Sequence, residues 1–238
     1  MKLSSHAILD RVHPSADTLA ARLAIVRDRI NRAAGRVSRD PAGITLLAVT
    51  KVFPAGAIRE AYDLGLRDFG ENYVQEFETK APELGDLGGA RYHLIGHLQS
   101  NKSSKAAELF QVIQTVDSSK LARRLDQTGK PLEIMLEVKV SPEETKSGAD
   151  PDDLPTLIES VRACPNLRLM GLMCMPPWSD DPEAARPYFR KLRELAQQHG
   201  LDQLSMGMSH DLETAIEEGA TCVRVGTALF GKRKKPAA

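Results

Sequence analysis

The sequence predicts an α/β protein built as a single (β/α)₈ barrel with an extra helix before the first strand. Three observations predict this fold class. Short aliphatic runs alternate with helical stretches, eight such runs occur with none left over, and 238 residues suit one closed barrel. Strict alternation favours parallel pairing, because parallel strands need a long crossover between them. Eight repeats fit a closed barrel better than an open doubly wound sheet.

The first predicted element is an amphipathic helix over about 15–34. Its apolar residues Leu19, Leu23, Val26 and Ile30 recur every three or four positions, with charged residues between them. The strand candidates follow, and they are ITLLAVT at 44, LRDFGEN at 66, RYHLIG at 91, VIQTVDS at 112, LEIMLEVKV at 132, LRLMGLMCM at 167, QLSMGM at 203 and CVRVGTALFG at 222. The helical stretches between them include 55–64, 120–127, 152–164 and 182–199.

We expect one domain over 1–238, with the barrel at about 44–231 and a short basic tail at 232–238. A hydrophobic fraction of 42% and a charged fraction of 27% are typical of globular proteins and exclude disordered or collagen-like classes. The 32 basic and 32 acidic residues cancel, so we expect no nucleic-acid partner. The basic tail is interpreted as a solvated end.

The cysteines and the N-terminus indicate a compartment. Cys164, Cys174 and Cys222 are odd in number, widely spaced and without a CxxC pair, so neither a disulfide framework nor a zinc knuckle is predicted. Charges and a proline interrupt the N-terminus where a secretory signal would need an apolar stretch, and no apolar run could span a bilayer. We therefore expect a cytoplasmic monomer that does not contact membranes.

The ends of the predicted strands hold the candidate functional residues, because βα loops form the concave face of a barrel. Lys51 follows the aliphatic first strand, so its amine is expected at the mouth beside apolar surface. Desolvation lowers the pKa of a lysine, and a neutral amine can form a Schiff base with an aldehyde. A salt-bridged or solvated lysine is the alternative, and it is the commoner case for a strand end.

Two turns are candidates for phosphate binding. Ser209 is expected at a helix N-cap after the seventh strand, where free N–H groups and the helix dipole favour anions. Gly226 and Thr227 follow the eighth strand, and barrels commonly bind phosphate between the loops after strands seven and eight. Capping and ordinary turn formation explain these residues equally well.

Arg224 and two histidines complete the candidate residues. Arg224 points to the face opposite Val223 and Val225, where it requires an anion, or a buried ion pair with a neighbouring strand. His93 and His97 lie on and after a strand rather than on one helical face, so a structural role is favoured over zinc and no metal site is predicted. No P-loop and no strand-to-helix GxGxxG occurs.

Seven segments in order resemble the pyridoxal phosphate homeostasis proteins, a family once labelled proline synthetase co-transcribed proteins. The segments are LLAVTK at 46, FGENYVQE at 69, HLIGHLQSNK at 93, KSG at 146, GLMCMPP at 171, LSMGMSHD at 204 and VRVGTALFG at 223. The resemblance implies a (β/α)₈ barrel similar to the N-terminal domain of alanine racemase. It also implies a cofactor, pyridoxal 5'-phosphate (PLP), bound as an imine on Lys51.

The resemblance also implies roles for the other residues. Ser209, Gly226 and Thr227 would hold the phosphate, Arg224 would face the pyridine nitrogen, and Asn72 would line the pocket near the ring. Three positions depart from the family pattern: Lys139 stands where Asn is usual, His210 where an acidic residue is common, and Ser103-Ser104 replaces a more basic run. Lys139 adds a second amine near the mouth, as a competing attachment or a transfer site.

The resemblance implies a carrier that buffers PLP for vitamin B6 and amino-acid homeostasis and delivers it to PLP-dependent apo-enzymes, without strong catalytic activity and with no catalytic residue. Arg224, always charged, disfavours the pyridinium that carbanion chemistry needs, and no second base for racemisation is evident. The alternative is a low-efficiency racemase or lyase that uses the same Lys51 imine. A cofactor-free phosphosugar isomerase or aldolase fits the barrel but not the motifs.

Overall fold

The computed structural model describes residues 17–141 and 147–231, and these form a closed parallel barrel. Each strand pairs with the next, and β8 pairs with β1 through Thr45–Cys222 and Ala48–Val225 to close the sheet. The predicted (β/α)₈ fold is therefore confirmed. The strands are β1 (Thr45–Val49), β2 (Asp68–Glu71), β3 (Arg91–Leu94), β4 (Val112–Val116), β5 (Leu132–Glu137), β6 (Leu167–Met173), β7 (Gln203–Met208) and β8 (Cys222–Val225).

Helices cover the outside of the barrel. The predicted helical stretches all form, with ends that differ from the predicted ones by a few residues. The helices of the described ranges are α1 (Leu19–Arg36), α2 (Ala55–Asp63), α3 (Val74–Lys80), α4 (Ser103–Leu109), α5 (Ser119–Asp126), α6 (Leu154–Arg162), α7 (Arg186–Gln198), α8 (Leu212–Glu217) and α9 (Thr227–Phe230). In this part of the chain, no helix combines the length and apolar character that crossing a membrane would require.

The N-terminal helix begins at Leu19 because the Thr18 hydroxyl accepts a hydrogen bond from the Ala21 N–H at 3.2 Å. Residues 15 and 16 of the predicted helix, and the tail at 232–238, lie outside the described residues. The predicted apolar stripe of α1 is buried and packs against α8 and α9. Each fully buried aliphatic side chain contributes about 1.5–3 kcal/mol, so α1 is an integral part of the wall.

The last predicted strand is wrong in its second half. Of the run at 222–231, only Cys222–Val225 is a strand, and Thr227–Phe230 forms one helical turn that begins at Gly226. The Gly226 carbonyl accepts hydrogen bonds from the N–H groups of Leu229 and Phe230 at 2.9 Å, which the chain can make only by leaving the sheet. This turn brings the chain back across the mouth of the barrel.

Side chains alternate between the inside and the outside of the barrel, as the two-residue period of a strand requires. Ala48, Val223 and Val225 face the helices and join the main hydrophobic core, whereas Leu47, Val49, Ile95 and Cys222 form a small apolar cluster inside the barrel. Lys51 continues the inward series of Leu47 and Val49. The alternation therefore directs its side chain to the mouth.

Candidate functional site

One cavity of about 500 Å³ opens at the carboxyl ends of the strands. This volume lies in the usual range for small-molecule sites. All six residues predicted to bind a cofactor line it, and they are Lys51, Asn72, Ser209, Arg224, Gly226 and Thr227. Residues from β1, β2, β7 and β8 thus meet in one place because the barrel is closed between its first and last strands.

The backbone that carries Lys51 turns sharply after β1. Val52 has a φ of 64°, in the left-handed region that a β-branched residue rarely adopts. The conformation is held from both sides, because the Phe53 N–H bonds to the Thr50 carbonyl at 3.0 Å and the Val52 N–H donates to Glu76 Oε1 at 2.5 Å. The turn fixes the direction in which Lys51 leaves the strand.

A network of buried charged groups packs against this turn and stabilises it. Lys80 Nζ, almost fully buried, donates to Glu71 Oε1 at 2.9 Å, to Glu76 Oε1 at 2.6 Å and to the Thr50 carbonyl at 3.1 Å. The Thr50 hydroxyl also donates to Glu71 Oε1 at 2.7 Å. Burial raises the pKa of Glu71, and the Lys80 charge opposes that effect. Sequence reasoning placed Glu71 at the end of the second strand without a role and did not single out Glu76 or Lys80, although both glutamates lie in the FGENYVQE segment.

Asn72 is held by a close backbone approach. A Cβ atom added to Gly96 would lie 2.1 Å from the Asn72 carbonyl oxygen, so only glycine allows the β3 end to pack there. Asn72 Oδ1 is buried and has no hydrogen-bond partner within the described residues. The cavity therefore offers a buried polar atom to a ligand that carries a complementary group.

The two turns predicted to bind phosphate lie together, but the predicted N-cap is wrong. Asp211, not Ser209, lies at the N-cap of α8, and its Oδ1 accepts from the Met208 N–H at 2.6 Å. The Ser209 hydroxyl instead accepts from the Ala228 N–H at 3.2 Å and so joins the loop after β7 to the turn after β8. Arg29 of α1 donates to the Ser209 carbonyl at 3.0 Å and pairs with Glu213. The two predicted turns are thus one joined structure.

Arg224 is buried inside the barrel at the floor of the cavity. Its guanidinium donates to the Ser205 hydroxyl and to the Cys174 carbonyl, each at 2.8 Å. In the described ranges it has no carboxylate within 4 Å, so the alternative of a buried ion pair is not supported there. Arg224 acts electrostatically on Glu137, whose pKa burial and the Asp117 carboxylate raise to about 7 against the effect of Arg224.

Lys139 does not line the main cavity. It lines a neighbouring cavity of about 250 Å³ together with Glu137 and His97, and Ile95 and Met175 line both cavities. The second amine of the sequence prediction is therefore adjacent to the candidate site rather than inside it.

Aromatic side chains form the rim. The rings of Phe53 and Phe230 lie 5.2 Å apart and connect the loop after β1 to α9. Trp178 is 71% exposed and its ring lies 5.0 Å from that of His210, whose Nε2 lies 3.0 Å from the Asp180 carbonyl oxygen. His210, which departs from the family pattern, therefore holds the loop after β6 at the mouth.

The two strand histidines have different environments. His93 is buried between Asp68 and Gln114, with hydrogen bonds of 2.9 and 3.0 Å, which agrees with the structural role predicted for it. His97 is partly exposed, with Nδ1 3.9 Å from Asp117. Across residues 17–141 and 147–231, no three side chains of His, Cys, Asp or Glu converge as a metal site would require.

A closed (β/α)₈ barrel with a lysine after β1, an inward arginine on β8 and a joined serine–glycine turn beyond β7 and β8 defines a recognisable class. That class is the alanine racemase N-terminal domain, whose family model matches residues 22–234. Within it, the chain belongs to the family of pyridoxal phosphate homeostasis proteins. The relative from Pseudomonas aeruginosa is 52% identical over 222 residues, which cover 91% of this chain and 96% of the relative. The Escherichia coli K12 relative is 44% identical over 90% of this chain and 97% of its own.

Solved structures agree with this assignment. PipY of Synechococcus elongatus, in a structure with PLP bound, has a TM-score of 0.79 and 41% identity, and the match covers 90% of this chain and 100% of that one. Alanine racemase from Corynebacterium glutamicum matches with a TM-score of 0.65 and 19% identity over 90% of this chain and 62% of its own. The second match shows the shared barrel alone.

Proposed function

We propose that this chain binds PLP in the cavity at the carboxyl ends of its strands and acts as a carrier that buffers the cofactor. The observation that carries the proposal is the convergence of Lys51, Arg224 and the joined turn of Ser209 and Gly226 on one cavity of about 500 Å³. These groups match three of the polar groups of PLP, its aldehyde, ring nitrogen and phosphate. The PLP-bound structure of PipY supports the same assignment.

When bound, PLP supplies an aldehyde that condenses with an amine and a ring that withdraws electrons. The residues of this chain would hold it at three points. Lys51 would attach it covalently, on a turn fixed by Glu76. The Ser209 hydroxyl and the N–H groups at the start of α9 would bind the phosphate, since exposed N–H groups at a helix start favour anions.

Arg224 would lower the reactivity of the bound cofactor by disfavouring protonation of its ring nitrogen. Its guanidinium is fixed by Ser205 and the Cys174 carbonyl, and arginine stays protonated at all physiological pH values. A second positive charge on the adjacent ring nitrogen is unfavourable in a desolvated pocket, and each pKa unit corresponds to about 1.4 kcal/mol. The ring then withdraws electrons weakly. This supports storage rather than catalysis.

The carrier function also implies partners, and the cysteines agree with a compartment. A carrier requires recipients, and we propose PLP-dependent apo-enzymes, with the protein itself acting as a monomer. The three cysteines are buried and none lies in a disulfide, as a reducing cytoplasm would allow.

One observation favours the alternative, a slow racemase or lyase. Glu137 lies beside the main cavity with a pKa of about 7, so its carboxyl could exchange protons near neutral pH. We nevertheless expect negligible exchange of the α-proton of alanine in the PLP-loaded protein, because Arg224 disfavours carbanion formation. Deuterium incorporation from solvent measures this. Exchange at enzyme-like rates that Glu137→Gln abolishes would establish the alternative instead.

Ser209→Ala tests the phosphate assignment. We expect PLP binding to weaken about tenfold, since a hydrogen bond to a charged group is lost. Pyridoxal has no phosphate, so its binding should stay nearly unchanged. Fluorescence of Trp178, the one tryptophan of the chain, reports both titrations from the rim of the cavity. An equal loss for both ligands would mean that the substitution damages the fold.

A further inference from the structure

Polar side chains run in a line through the interior of the barrel, beside the Cys222 thiol, which interacts with Ser205 and Gln114. Arg224 Nη1 donates to Ser205 Oγ at 2.8 Å, and Ser205 Oγ donates to Gln114 Oε1 at 2.6 Å. Gln114 Nε2 lies 3.0 Å from His93 Nδ1, and His93 Nε2 lies 2.9 Å from Asp68 Oδ1. We call these five residues the interior column.

The interior column connects two openings of the barrel. Arg224 lines the main cavity at the carboxyl ends of the strands. Asp68, His93 and Gln114 line a separate cavity of about 310 Å³ that also includes Thr45 and Arg91, at the amino ends of β1 and β3. Arg224, Ser205, Gln114 and His93 are all buried. A buried polar chain of this kind is costly unless every member is satisfied, so its geometry is tightly constrained.

The two ends determine the direction of every hydrogen bond. Arginine can only donate, so Ser205 Oγ accepts from it and sends its own proton to Gln114 Oε1. That orients the amide so that Gln114 Nε2 donates to His93 Nδ1. At the other end a carboxylate only accepts, so His93 Nε2–H donates to Asp68. The column requires neutral His93 protonated on Nε2.

The surroundings of His93 maintain that state. Burial lowers the pKa of His93, and the charged groups that face it are Asp68, Arg91 and Glu133. Asp68 favours the charged imidazole, but burial has the larger effect. If His93 gained a proton on Nδ1, the Gln114 amide would have to turn and present a second donor to Ser205. Ser205 Oγ would then accept from both Gln114 and Arg224, its own proton would lose its acceptor Gln114 Oε1, and the fixed contact to Arg224 would change.

We propose that Ser205, Gln114 and His93 are positioning residues that fix the Arg224 guanidinium and thereby set the environment of the cofactor ring nitrogen from inside the barrel. The proposal rests on the proposed function, since Arg224 acts on a ring nitrogen only if PLP occupies the main cavity. Gln114 is central, because it bonds to neighbours on both sides and touches neither end of the column.

The test compares two variants of β4 in the full-length, PLP-loaded protein. Gln114→Met keeps the side-chain length and removes the hydrogen bonds to Ser205 and His93. Val112→Ala loosens packing at the cavity of about 310 Å³ and removes no polar group. The readout is the ¹⁵N resonance of labelled PLP at its ring nitrogen, with the pH titration of the visible absorption band. We expect Gln114→Met to move the resonance and to shift the titration midpoint by about half a pH unit or more. Val112→Ala should leave both at the wild-type values.

Equal shifts in both variants would assign the effect to packing, and unchanged values in Gln114→Met would show that Arg224 does not depend on the column. Either outcome overturns the proposal.

A second measurement needs neither a variant nor the cofactor. In the PLP-free wild-type protein, ¹⁵N-labelled histidine should show His93 neutral, protonated on Nε2 and bare on Nδ1 at pH 7. The opposite tautomer overturns the column, whereas failure of the wild-type protein to bind PLP overturns the proposed function and the effect on the ring nitrogen but leaves the column itself standing.

Discussion

Replacing Lys51 with alanine is expected to abolish covalent retention of PLP. The wild-type protein, loaded with PLP and reduced with borohydride, should carry the label on the peptide that contains Lys51, at close to one label per chain, because Lys51 is the only lysine among the described residues that line the main cavity. In Lys51→Ala the labelled fraction should fall to background and the visible absorption band should disappear. The loss follows from chemistry rather than stability, since half-buried Lys51 lies at a loop.

Two further variants make this result specific. Lys51→Arg keeps the positive charge but offers no amine nucleophile, so it should also lose the label while retaining weak binding through the phosphate turn. Lys139→Ala removes the amine of the neighbouring cavity and should label like the wild type. A label on Lys139 in the wild-type protein, or no label at all, would contradict the assignment of Lys51.

Replacing Lys80 with methionine is expected to have the largest effect on stability. The side chain is buried and pairs with Glu71, which is fully buried, so its loss leaves a buried carboxylate without a cation. Breaking a buried pair in this way costs about 3–5 kcal/mol. Lys105→Met is the matched control, because Lys105 makes exposed ion pairs with Glu78 and Glu108, and ion pairs in solvent contribute little to stability.

The pH dependence of Lys80→Met has a defined sign. Burial already raises the pKa of Glu71, and loss of Lys80 removes the main opposing effect. A carboxyl group whose folded-state pKa is raised stabilises the fold below its unfolded pKa, and that contribution is lost as the pH rises. The free energy of unfolding of Lys80→Met should therefore fall as the pH rises above the unfolded-state pKa of Glu71, as measured by urea denaturation. A pH-independent loss, or one no larger than that of Lys105→Met, would contradict this account.

The order of strands and helices was predictable because each element carries its own pattern. The two-residue period places Leu47, Val49 and Lys51 on one face of β1, and the 3.6-residue period of α1 identifies its buried stripe. The six candidate site residues were found by their position at strand ends and by motif. The structure brings these six residues together, and their roles remain proposals.

What the sequence could not reveal depends on contacts between distant segments. Lys80 lies at the end of α3, and nothing in its sequence neighbourhood indicates that it reaches the Thr50 carbonyl, just after β1. The interior column joins residues from β2, β3, β4, β7 and β8, which only barrel closure places in line. Ser209 was wrongly predicted to be the N-cap of the helix after β7, because its actual partner, the Ala228 N–H, belongs to a later turn.

The pairing of the first strand with the last, β1 with β8, has a consequence for protein synthesis. Lys51 stands at the first strand, whereas Arg224 and the turn at Gly226 come from the last, so the cavity does not exist until nearly all of the described chain has left the ribosome. A nascent chain would expose Lys51 as an ordinary surface amine and could capture PLP only weakly. Because a ligand that binds the folded state alone stabilises it by mass action, cellular PLP would favour the completed barrel over its precursors. The amount of folded protein in the cell would then rise with the concentration of PLP.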